Sequence, residues 1–348
     1  MRPSHFLHSW GKILSGKIPI LSIEITRECP LHCPGCYAYG DDHLGGETVL
    51  REVRDYRGDD LVHRVLRLVD RYEPLHVSLV GGEPLIRHRE LSRILPVLSE
   101  RGIFTMVVTS AVIPIPKKWT DLPNVVIAVS VDGLPKHHDV RRKPATYERI
   151  LRNIEGRKVN IHWTIVRSHT EEPGYLEEYV SFWQERPEVH KIWCSVYSPQ
   201  RGENTPEMLS RDQRELLLET LPALSAKYNK FLAPEGYARA FVDPPKSPDE
   251  CIFSRMSVNY TADLKTRVEP CVFGGEPDCS QCGCSASAAL HWVGNLPVLG
   301  GLRVKHLVQG SMNIGAWVNR VQAQGRDGMR WQESSAPARQ AADLIQIK

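Results

Sequence analysis

The feature that most constrains this chain is a set of three cysteines directly after an apolar, strand-like segment. Cys29, Cys33 and Cys36 have the spacing C-x3-C-x2-C. Thiolates are the natural ligands of iron–sulfur clusters, and three of them can hold three corners of a [4Fe–4S] cube. The fourth iron would then be open to a substrate or cofactor. The alternatives are ordinary thiols or part of a zinc site, although zinc usually takes C-x2-C pairs and four protein ligands.

Two further motifs each follow a strand-like run. Gly81-Gly82-Glu83-Pro84 ends the segment 76–80, and Ser130-Val131-Asp132-Gly133 ends the segment 125–131, with Arg141 a little further on. Together with the cysteines, this order of motifs resembles the radical S-adenosylmethionine (SAM) superfamily over roughly residues 18–200. The two glycines and the aspartate would be weak signals alone, but three motifs in order at strand ends form a specific pattern.

Strand-like and helical segments alternate along the first two thirds of the chain. This alternation predicts a parallel α/β sheet with helices outside it, and does not distinguish an open sheet from a barrel. The resemblance implies a partial (β/α)6 barrel with its site beyond the carboxyl ends of the strands. The predicted strands are 20–26, 76–80, 104–109, 125–131, 160–166 and 191–197, and the predicted helices are 59–72, 90–100, 146–155, 174–185, 210–229 and 314–324.

Changes in composition divide the chain into four parts. We expect an N-terminal helical extension at 1–17, the partial barrel at 18–232, a small cysteine-rich auxiliary-cluster module at 233–290, and a C-terminal helical extension and polar tail at 291–348. The proline-rich segment 234–250 is predicted to be a linker. A capping box of Ser210 and Gln213 is predicted to begin the helix at 210.

The resemblance also assigns roles to residues in the first motifs. Cys29, Cys33 and Cys36 would hold the cluster, and SAM would bind its open iron. Gly81, Gly82, Glu83 and Pro84 would face the SAM amine, whereas for the glycines the simpler alternative is a tight turn. Ser130 and Asp132, which share one face of a strand, would hold the ribose hydroxyls, and Arg141 would pair with the SAM carboxylate. The alternatives are an ordinary Asp-Gly turn and a surface charge.

Two positions depart from the pattern of the superfamily. Relatives often carry an aromatic residue before the third cysteine, where this chain has Gly35, so Tyr37 is the predicted ring beside the adenine. Thr109-Ser110 stands where relatives often carry Thr-Asn-Gly, and this position therefore predicts nothing.

A second group of cysteines occupies residues 251–284. Segments 257–260 and 267–269 are predicted to pair as a hairpin, and the Glu-Pro-Cys that follows resembles the auxiliary-cluster modules called twitch and SPASM. Five thiols compete for one predicted auxiliary [4Fe–4S] cluster, since the seven cysteines of a full SPASM module are not present. We assign Cys251, Cys271, Cys279 and Cys282 as ligands, with Cys284 as a substitute. A zinc knot is the alternative. The ninth cysteine, Cys194, lies in a predicted strand and is expected to be a small buried apolar residue rather than a catalytic thiol.

Composition and charge exclude several classes of protein. The net charge is +3 with acidic and basic residues interspersed, which gives no case for nucleic-acid binding. No apolar stretch approaches the roughly 20 residues of a transmembrane helix, and residues 1–17 lack the features of a signal peptide. That segment is predicted to be an amphipathic helix against the barrel, with membrane-surface contact as the alternative. Nine cysteines without export signals favour metal over disulfides and a cytoplasmic location.

The predicted function is that of a radical SAM enzyme. It would cleave SAM reductively at its cluster to a 5′-deoxyadenosyl radical, with electrons from a donor such as flavodoxin or ferredoxin, and abstract hydrogen from a substrate. Only 28 residues precede the first cysteine, and peptide-modifying relatives commonly carry a leader-binding domain there. A small molecule, a lipid or a partner protein is therefore the expected substrate. The alternatives are a two-cluster electron-transfer or scaffold protein, and a zinc-stabilised binding module.

Overall fold

One sheet of seven strands organises the molecule. The computed structural model describes residues 10–46, 48–144 and 147–323. The strand order is β6-β5-β4-β3-β2-β1-β7, and every neighbouring pair is parallel. β6 and β7 lie at opposite edges, so backbone hydrogen bonds do not close the sheet among the described residues. The strands are β1 (Ile20–Glu24), β2 (His76–Val80), β3 (Phe104–Thr109), β4 (Val125–Ser130), β5 (Val159–Ile165), β6 (Val189–Val196) and β7 (Ser257–Tyr260).

Helices connect these strands and follow them. Short 3-10 turns lie at Tyr37–Tyr39, Pro84–Arg87 and Cys279–Gln281, and residues 10–14 are also helical. The other helices are α1 (Gly58–Tyr72), α2 (His88–Glu100), α3 (Lys117–Thr120), α4 (Pro135–Arg141), α5 (Tyr147–Ile154), α6 (Arg167–Glu171), α7 (Tyr175–Gln184), α8 (Arg211–Lys227), α9 (Glu235–Val242), α10 (Ile252–Met256), α11 (Ser285–Gly294) and α12 (Val304–Ala323).

The two faces of the sheet differ in polarity. Successive side chains of a strand point to opposite faces. Ile23 of β1 and Trp163 of β5 belong to the main hydrophobic core with the helices. Their neighbours Glu24 and His162 therefore lie on the other face, and the same alternation places Ser130 of β4 there. This polar face, together with the loops at the carboxyl ends of the strands, is where the chain can build a site.

The six predicted strands are confirmed, each within two residues of its expected bounds. The seventh strand is a new finding. The predicted hairpin is present, since Thr261 N donates to Thr266 O at 3.0 Å and Val268 N donates to Asn259 O at 3.0 Å. Its first arm is also β7, which pairs in parallel with β1. This pairing joins segments far apart in the chain, and no local pattern announces it.

Two predictions about the C-terminal third need correction. The expected linker at 234–250 contains α9, whose Tyr237 and Phe241 are buried in the main core. Proline is compatible with the beginning of a helix, and Pro234 stands immediately before α9. The helix expected at 314–324 begins earlier, at Val304, and residue 324 lies outside the described residues. The expected polar tail beyond residue 323 and the first nine residues of the N-terminal extension also lie outside them.

The capping box is confirmed at the start of α8. Gln213 N donates to Ser210 Oγ at 3.2 Å, and Ser210 N donates to Gln213 Oε1 at 2.8 Å. None of the helices in the described ranges is long and apolar enough to cross a membrane.

Candidate functional site

The first three cysteines lie in the loop that follows β1, close enough to influence one another electrostatically. Leu31 N donates to Cys29 Sγ at 3.5 Å, and the backbone N–H groups of Ala38 and Tyr39 point to the Cys36 sulfur. Burial raises the pKa of the Cys29 thiol to about 11, and the nearby Cys33 and Cys36 add smaller effects in the same direction. Free thiols here would be protonated near neutral pH, and a metal that binds them must displace those protons.

The glycine motif packs directly against the segment that leads into the cysteine loop. Gly82 N donates to Thr26 O at 2.8 Å, and Glu83 N donates to Glu28 O at 2.7 Å. A Cβ on Gly82 would collide with the carbonyl oxygen of Glu28, and Gly81 has a φ of +113°. The glycines are therefore required for the contact between two loops, whatever they also do toward a ligand.

The buried carboxylate of Glu83 joins the ends of β2 and β3. It accepts hydrogen bonds from Leu85 N at 2.9 Å, from Ser110 N at 2.8 Å, and from the hydroxyls of Thr109 and Ser110. Pro84 follows at the first position of a 3-10 turn. The sequence pattern attached no function to Thr109-Ser110, but these residues hold the glycine motif in place.

Asp132 is fully buried beyond the end of β4 and is bound by two arginines. Its Oδ2 accepts from Arg141 and from Arg142 Nε at 2.7 Å, and its Oδ1 accepts from Thr164 N at 3.1 Å. Burial alone would raise the pKa of this carboxyl group, but the guanidinium groups of Arg142 and Arg141 hold it well below its usual range. Ser130, the last residue of β4, and Asp132, two residues later, are both buried. Sequence analysis missed Arg142, which followed the recognised arginine without a motif of its own.

Arg141 also forms a bidentate pair with a second carboxylate. Its Nε and Nη2 donate to the two oxygens of Glu207 at 2.8 and 2.9 Å. Both side chains are largely buried. Glu207 comes from the loop between β6 and α8, where the sequence gives no signal of function. In this structure a protein carboxylate occupies the fork that was predicted to bind the carboxylate of SAM.

Gly35, where relatives often have an aromatic residue, stands beside an aromatic residue from elsewhere. A Cβ at Gly35 would lie 2.8 Å from Tyr197 Oη and 3.1 Å from Glu207 Oε2, and φ at Gly35 is +60°. Tyr197 follows β6 and its hydroxyl donates to Glu203 at 2.6 Å. Tyr197, which comes from the opposite edge of the sheet, thus fills the space that a side chain at position 35 would need.

Tyr37 faces the second group of cysteines. Its ring meets the Phe273 ring edge-on at a centroid distance of 5.3 Å, and lies 5.7 Å from the His43 ring. The charges that influence its hydroxyl include Glu24, Cys36, Cys284 and Cys271. Tyr37 therefore lies between the two groups of cysteines.

The five later cysteines line one cavity. Cys251, Cys271, Cys279, Cys282 and Cys284 surround it together with Phe253, Phe273 and several prolines. Burial raises the pKa of the Cys284 thiol to about 12, against the backbone N–H groups of Ser287 and Ala286 that lower it. This sulfur stands at the start of α11. The arrangement matches what thiolate ligands need, which is a closed space and N–H donors directed at sulfur.

Backbone contacts hold the second group of cysteines against the first. His43 Nδ1 lies 2.9 Å from Phe273 O, and a Cβ on Gly274 would collide with the backbone of His43. On the other side, Val196 N donates to Gly283 O at 2.9 Å. Both groups therefore lie at the carboxyl end of the sheet, where the predicted site belongs.

No group of three or more His, Cys, Asp or Glu side chains in the described ranges is arranged to hold a single metal ion. A cubane binds each thiolate at a different iron, so its ligands do not surround one point. Cys194 of β6 is fully buried in the main core, which is the position expected for it.

Comparison with known proteins shows which family this chain resembles. Residues 23–173 match the model of the Radical SAM superfamily. Fe-coproporphyrin III synthase of Methanosarcina barkeri is 25% identical over 237 residues, which cover 65% of this chain and 56% of that protein. Pre-heme d1 synthase of Dinoroseobacter shibae is 24% identical over 226 residues, which cover 58% and 50%. The chain thus spans about half the length of the curated relatives it matches.

A solved structure extends the likeness of the fold to most of the chain. SuiB of Streptococcus suis, crystallised with S-adenosylmethionine, superposes with a TM-score of 0.55 at 18% identity, and the match covers 92% of this chain and 77% of that one. The match includes the cysteine-rich C-terminal region. The seven-stranded parallel sheet is therefore a partial barrel of the expected kind.

Proposed function

We propose that this chain cleaves SAM reductively and uses the resulting 5′-deoxyadenosyl radical to abstract hydrogen from a substrate. The match of residues 23–173 to the Radical SAM superfamily confirms the resemblance found in the motifs and supports this proposal. The observation that carries the proposal is the convergence of Cys29, Cys33 and Cys36 in one loop beside the glycine motif. Three thiols of one loop, at the carboxyl end of the first strand, suit a [4Fe–4S] cluster with one iron left open.

The cluster and SAM supply the redox chemistry. When bound, the cluster provides the electron that breaks a C–S bond of the sulfonium. The protein's part is to hold the three thiolates and to orient SAM. Backbone N–H groups at Leu31, Ala38 and Tyr39 would stabilise the negative sulfurs in the ligated state.

The SAM contacts remain our proposal. Gly81, Gly82, Glu83 and Pro84 stand next to the cysteine loop and suit the amine end of SAM. Ser130 and Asp132 suit the ribose, although both Asp132 oxygens already have protein partners. Arg141 suits the SAM carboxylate, provided that Glu207 leaves its fork. Tyr37 faces the second group of cysteines. Tyr197, whose ring lies against Gly35, is therefore better placed than Tyr37 to contact the adenine of SAM.

We also propose that the later cysteines hold an auxiliary [4Fe–4S] cluster. Three sulfurs accept backbone N–H groups: Cys271 from Phe273, Cys282 from Cys284, and Cys284 from Ala286 and Ser287. The Cys251 sulfur lies 3.3 Å from Ser287 Oγ.

The same contacts favour one of the two candidates for the fourth ligand. Burial raises the pKa of Cys279 to about 12, and its other influences are the charges of neighbouring side chains such as Asp278 and Arg201. A thiolate is stabilised better by directed N–H donors than by a nearby acidic side chain. We therefore favour Cys251, Cys271, Cys282 and Cys284 as ligands, with Cys279 as the spare thiol. Spacing alone suggested the reverse preference between Cys279 and Cys284.

The substrate class that we propose is a small molecule, a lipid or a partner protein, and a flavodoxin or ferredoxin is the proposed reductant. Two relatives are named for the synthesis of a coproporphyrin and a pre-heme, and these names favour a small molecule. The second group of cysteines would hold a cluster that, when bound, supplies one-electron transfer, which is the chemistry needed to oxidise a substrate radical. This would make the overall reaction an oxidation, although bond formation and rearrangement remain alternatives.

The proposal is tested by incubating anaerobically reconstituted protein with dithionite and SAM and measuring 5′-deoxyadenosine. We expect formation by the wild type and by Cys194→Ala, which removes a buried thiol outside both sites. Cys33→Ala should abolish it. A protein with a full complement of iron and sulfide that forms no 5′-deoxyadenosine would support the electron-transfer alternative instead.

A further inference from the structure

The exposed apolar side chains of this molecule concentrate near its C-terminal end. Thirteen large apolar residues are exposed among the described residues, and nine of them lie between residues 293 and 321. Scattered single apolar residues on a surface are ordinary, whereas a concentration marks a site of interaction. The nine are Val293, Leu296, Val298, Leu299, Leu302, Leu307, Ile314, Trp317 and Val321.

Part of this group is carried by a small hairpin at residues 296–303. Val298 N donates to Leu302 O at 2.9 Å, and Pro297 and Arg303 form an antiparallel bridge. Gly300 and Gly301 have positive φ and make the turn. Leu299 stands next to this turn and is 81% exposed. A defined backbone therefore presents a leucine almost entirely to solvent.

Four more members of the group lie along one side of α12, and the ninth, Val293, lies in α11. Leu307, Ile314, Trp317 and Val321 are separated by seven, three and four residues, which places them on one face of a helix. The opposite face contains Ser311, Met312 and Gly315, which are buried. Trp317 is 60% exposed although it is the largest side chain of this face. The helix is thus buried on one side and apolar on its solvent side.

The segment 279–326, which contains this group, carries only positive charges. Residues 279–326 contain no Asp or Glu, although the chain has 41 such residues, and they include Arg303, Lys305 and Arg320. Arg303 Nη1 donates to the uncharged oxygen of Asn295 at 3.2 Å.

The N-terminal segment extends this acid-free region. Residues 1–23 also lack Asp and Glu. The two segments are in contact, because Asn319 Nδ2 donates to Gly16 O at 2.8 Å and Gly315 packs on the backbone of Ile13. Lys12 of this segment is also basic, and Glu73 lies beside Lys12 and Lys17.

We propose that the hairpin 296–303 and the outer face of α12, which we call the terminal apolar surface, bind the surface of a membrane that contains anionic lipids. An apolar face bordered by basic residues is the combination that anchors a protein at the boundary between lipid headgroups and acyl chains. Anionic headgroups complement Arg303, Lys305 and Arg320, and the lack of acidic residues within 279–326 limits the repulsion from the surface's own segment. The protein would lie on the membrane through this surface.

The test is co-sedimentation of the full-length protein with vesicles. We expect binding to phosphatidylglycerol vesicles, weaker binding at high salt, and little binding to phosphatidylcholine vesicles. Leu299→Glu combined with Trp317→Glu should lower the vesicle-bound fraction by about tenfold or more, since the change replaces two inserted apolar groups by charges of the wrong sign. The matched control, Phe104→Glu combined with Leu232→Glu, changes two similarly exposed apolar residues elsewhere and carries the same added charge. It should bind as the wild type does.

Two results would overturn the proposal. One is equal binding to the anionic vesicles by the wild type and the L299E/W317E protein, or no binding by either. The other is a wild-type dimer in light scattering, without vesicles, that the same pair of changes converts to a monomer, because a second copy would then be the occupant of this surface. Formation of 5′-deoxyadenosine by the L299E/W317E protein in solution is expected to be unchanged, so a failure of the membrane proposal is distinguishable from a failure of the proposed chemistry.

Discussion

His43 Nε2 lies 2.7 Å from Glu24 Oε1, and both side chains are buried at the carboxyl end of β1. The other ring nitrogen of His43 lies 2.9 Å from Phe273 O, two residues after Cys271. One imidazole thus connects the first strand and the first cysteine loop to the second group of cysteines. Tyr37, whose ring contacts both His43 and Phe273, completes this junction.

The junction should make stability depend on pH. Burial opposes the charged form of His43, but the hydrogen bond and charge of Glu24 outweigh it and raise the pKa of His43 above its ordinary 6.5. A raised pKa contributes stability that is complete below 6.5 and is lost as the pH rises through the raised value. His43→Gln should lower the free energy of unfolding by about 3 kcal/mol at acidic pH, and by less above the raised pKa.

Urea unfolding of wild type and variant at a series of pH values measures this difference. His63→Gln, at an exposed position of α1, is the control and should leave the pH dependence as it is. A difference between wild type and His43→Gln that is constant across this pH range would contradict the prediction.

Glu207 should compete with SAM for Arg141. Its carboxylate occupies the guanidinium fork through two hydrogen bonds, so SAM must displace it to use the same donors. Glu207→Gln should tighten SAM binding by about tenfold, because a neutral amide competes less well than a carboxylate. Equilibrium binding of SAM to the reconstituted protein measures this.

The matched control for this prediction is Glu203→Gln. Glu203 lies in the same loop and accepts a hydrogen bond from Tyr197, but its partner is not Arg141. The affinity of the Glu203→Gln protein for SAM should therefore change much less than that of Glu207→Gln. Weaker SAM binding by Glu207→Gln would mean that Glu207 helps to hold SAM rather than to exclude it.

The choice between Cys279 and Cys284 is open to direct measurement. We expect Cys284→Ala to lose up to about half of the bound iron, because removing one of its ligands weakens the binding of the auxiliary cluster, one of the two proposed clusters. Cys279→Ala should keep nearly all of it. Iron and sulfide analysis of anaerobically reconstituted protein gives the answer, and the opposite pattern would restore the assignment that spacing suggests.

Gly82→Ala should disrupt the first site without touching any cysteine. A methyl group at this position would collide with Glu28 O, which accepts the hydrogen bond from Glu83 N. The collision is between the new Cβ and a backbone carbonyl, so a rotamer change cannot relieve it. We expect a loss of about 2 kcal/mol or more in stability together with weaker SAM binding. Gly102→Ala is the control for an added methyl group, since a Cβ there meets nothing within 4 Å and its cost comes from the positive φ of +70°, which Gly82 does not share. SAM binding should be unaffected in Gly102→Ala, and equal losses in both variants would rule out a specific role for Gly82.

The sequence predicted most of the barrel because each strand is a short, continuous apolar segment and amphipathic helices separate the strands. β2 and β3 were predicted with their observed bounds. β7 was predicted only as an arm of a hairpin, because its parallel pairing with β1 depends on a contact between distant segments. Helix α9 was missed since the prolines around it outweighed its few apolar residues.

The residues of the candidate site likewise fall into those that the sequence indicates and those that only the structure reveals. Cysteines and glycines have spacings that are visible in one segment, so Cys29 and Gly82 could be chosen as candidates from the sequence. Arg142, Glu207 and Tyr197 come to the site from the end of a helix, a loop and the last barrel strand, and each is one ordinary residue among many. Their function depends on which partners the fold brings together, and spacing carries no information about that.

The measurement that tests the central claim most directly is the paramagnetic resonance spectrum of the reduced protein with and without SAM. A variant that lacks Cys271 and Cys284 isolates the first site. We predict that its signal changes on addition of SAM, and that Cys33→Ala in the same background has no such signal. A reduced cluster at Cys29, Cys33 and Cys36 whose spectrum is the same in the presence and absence of SAM would contradict the account.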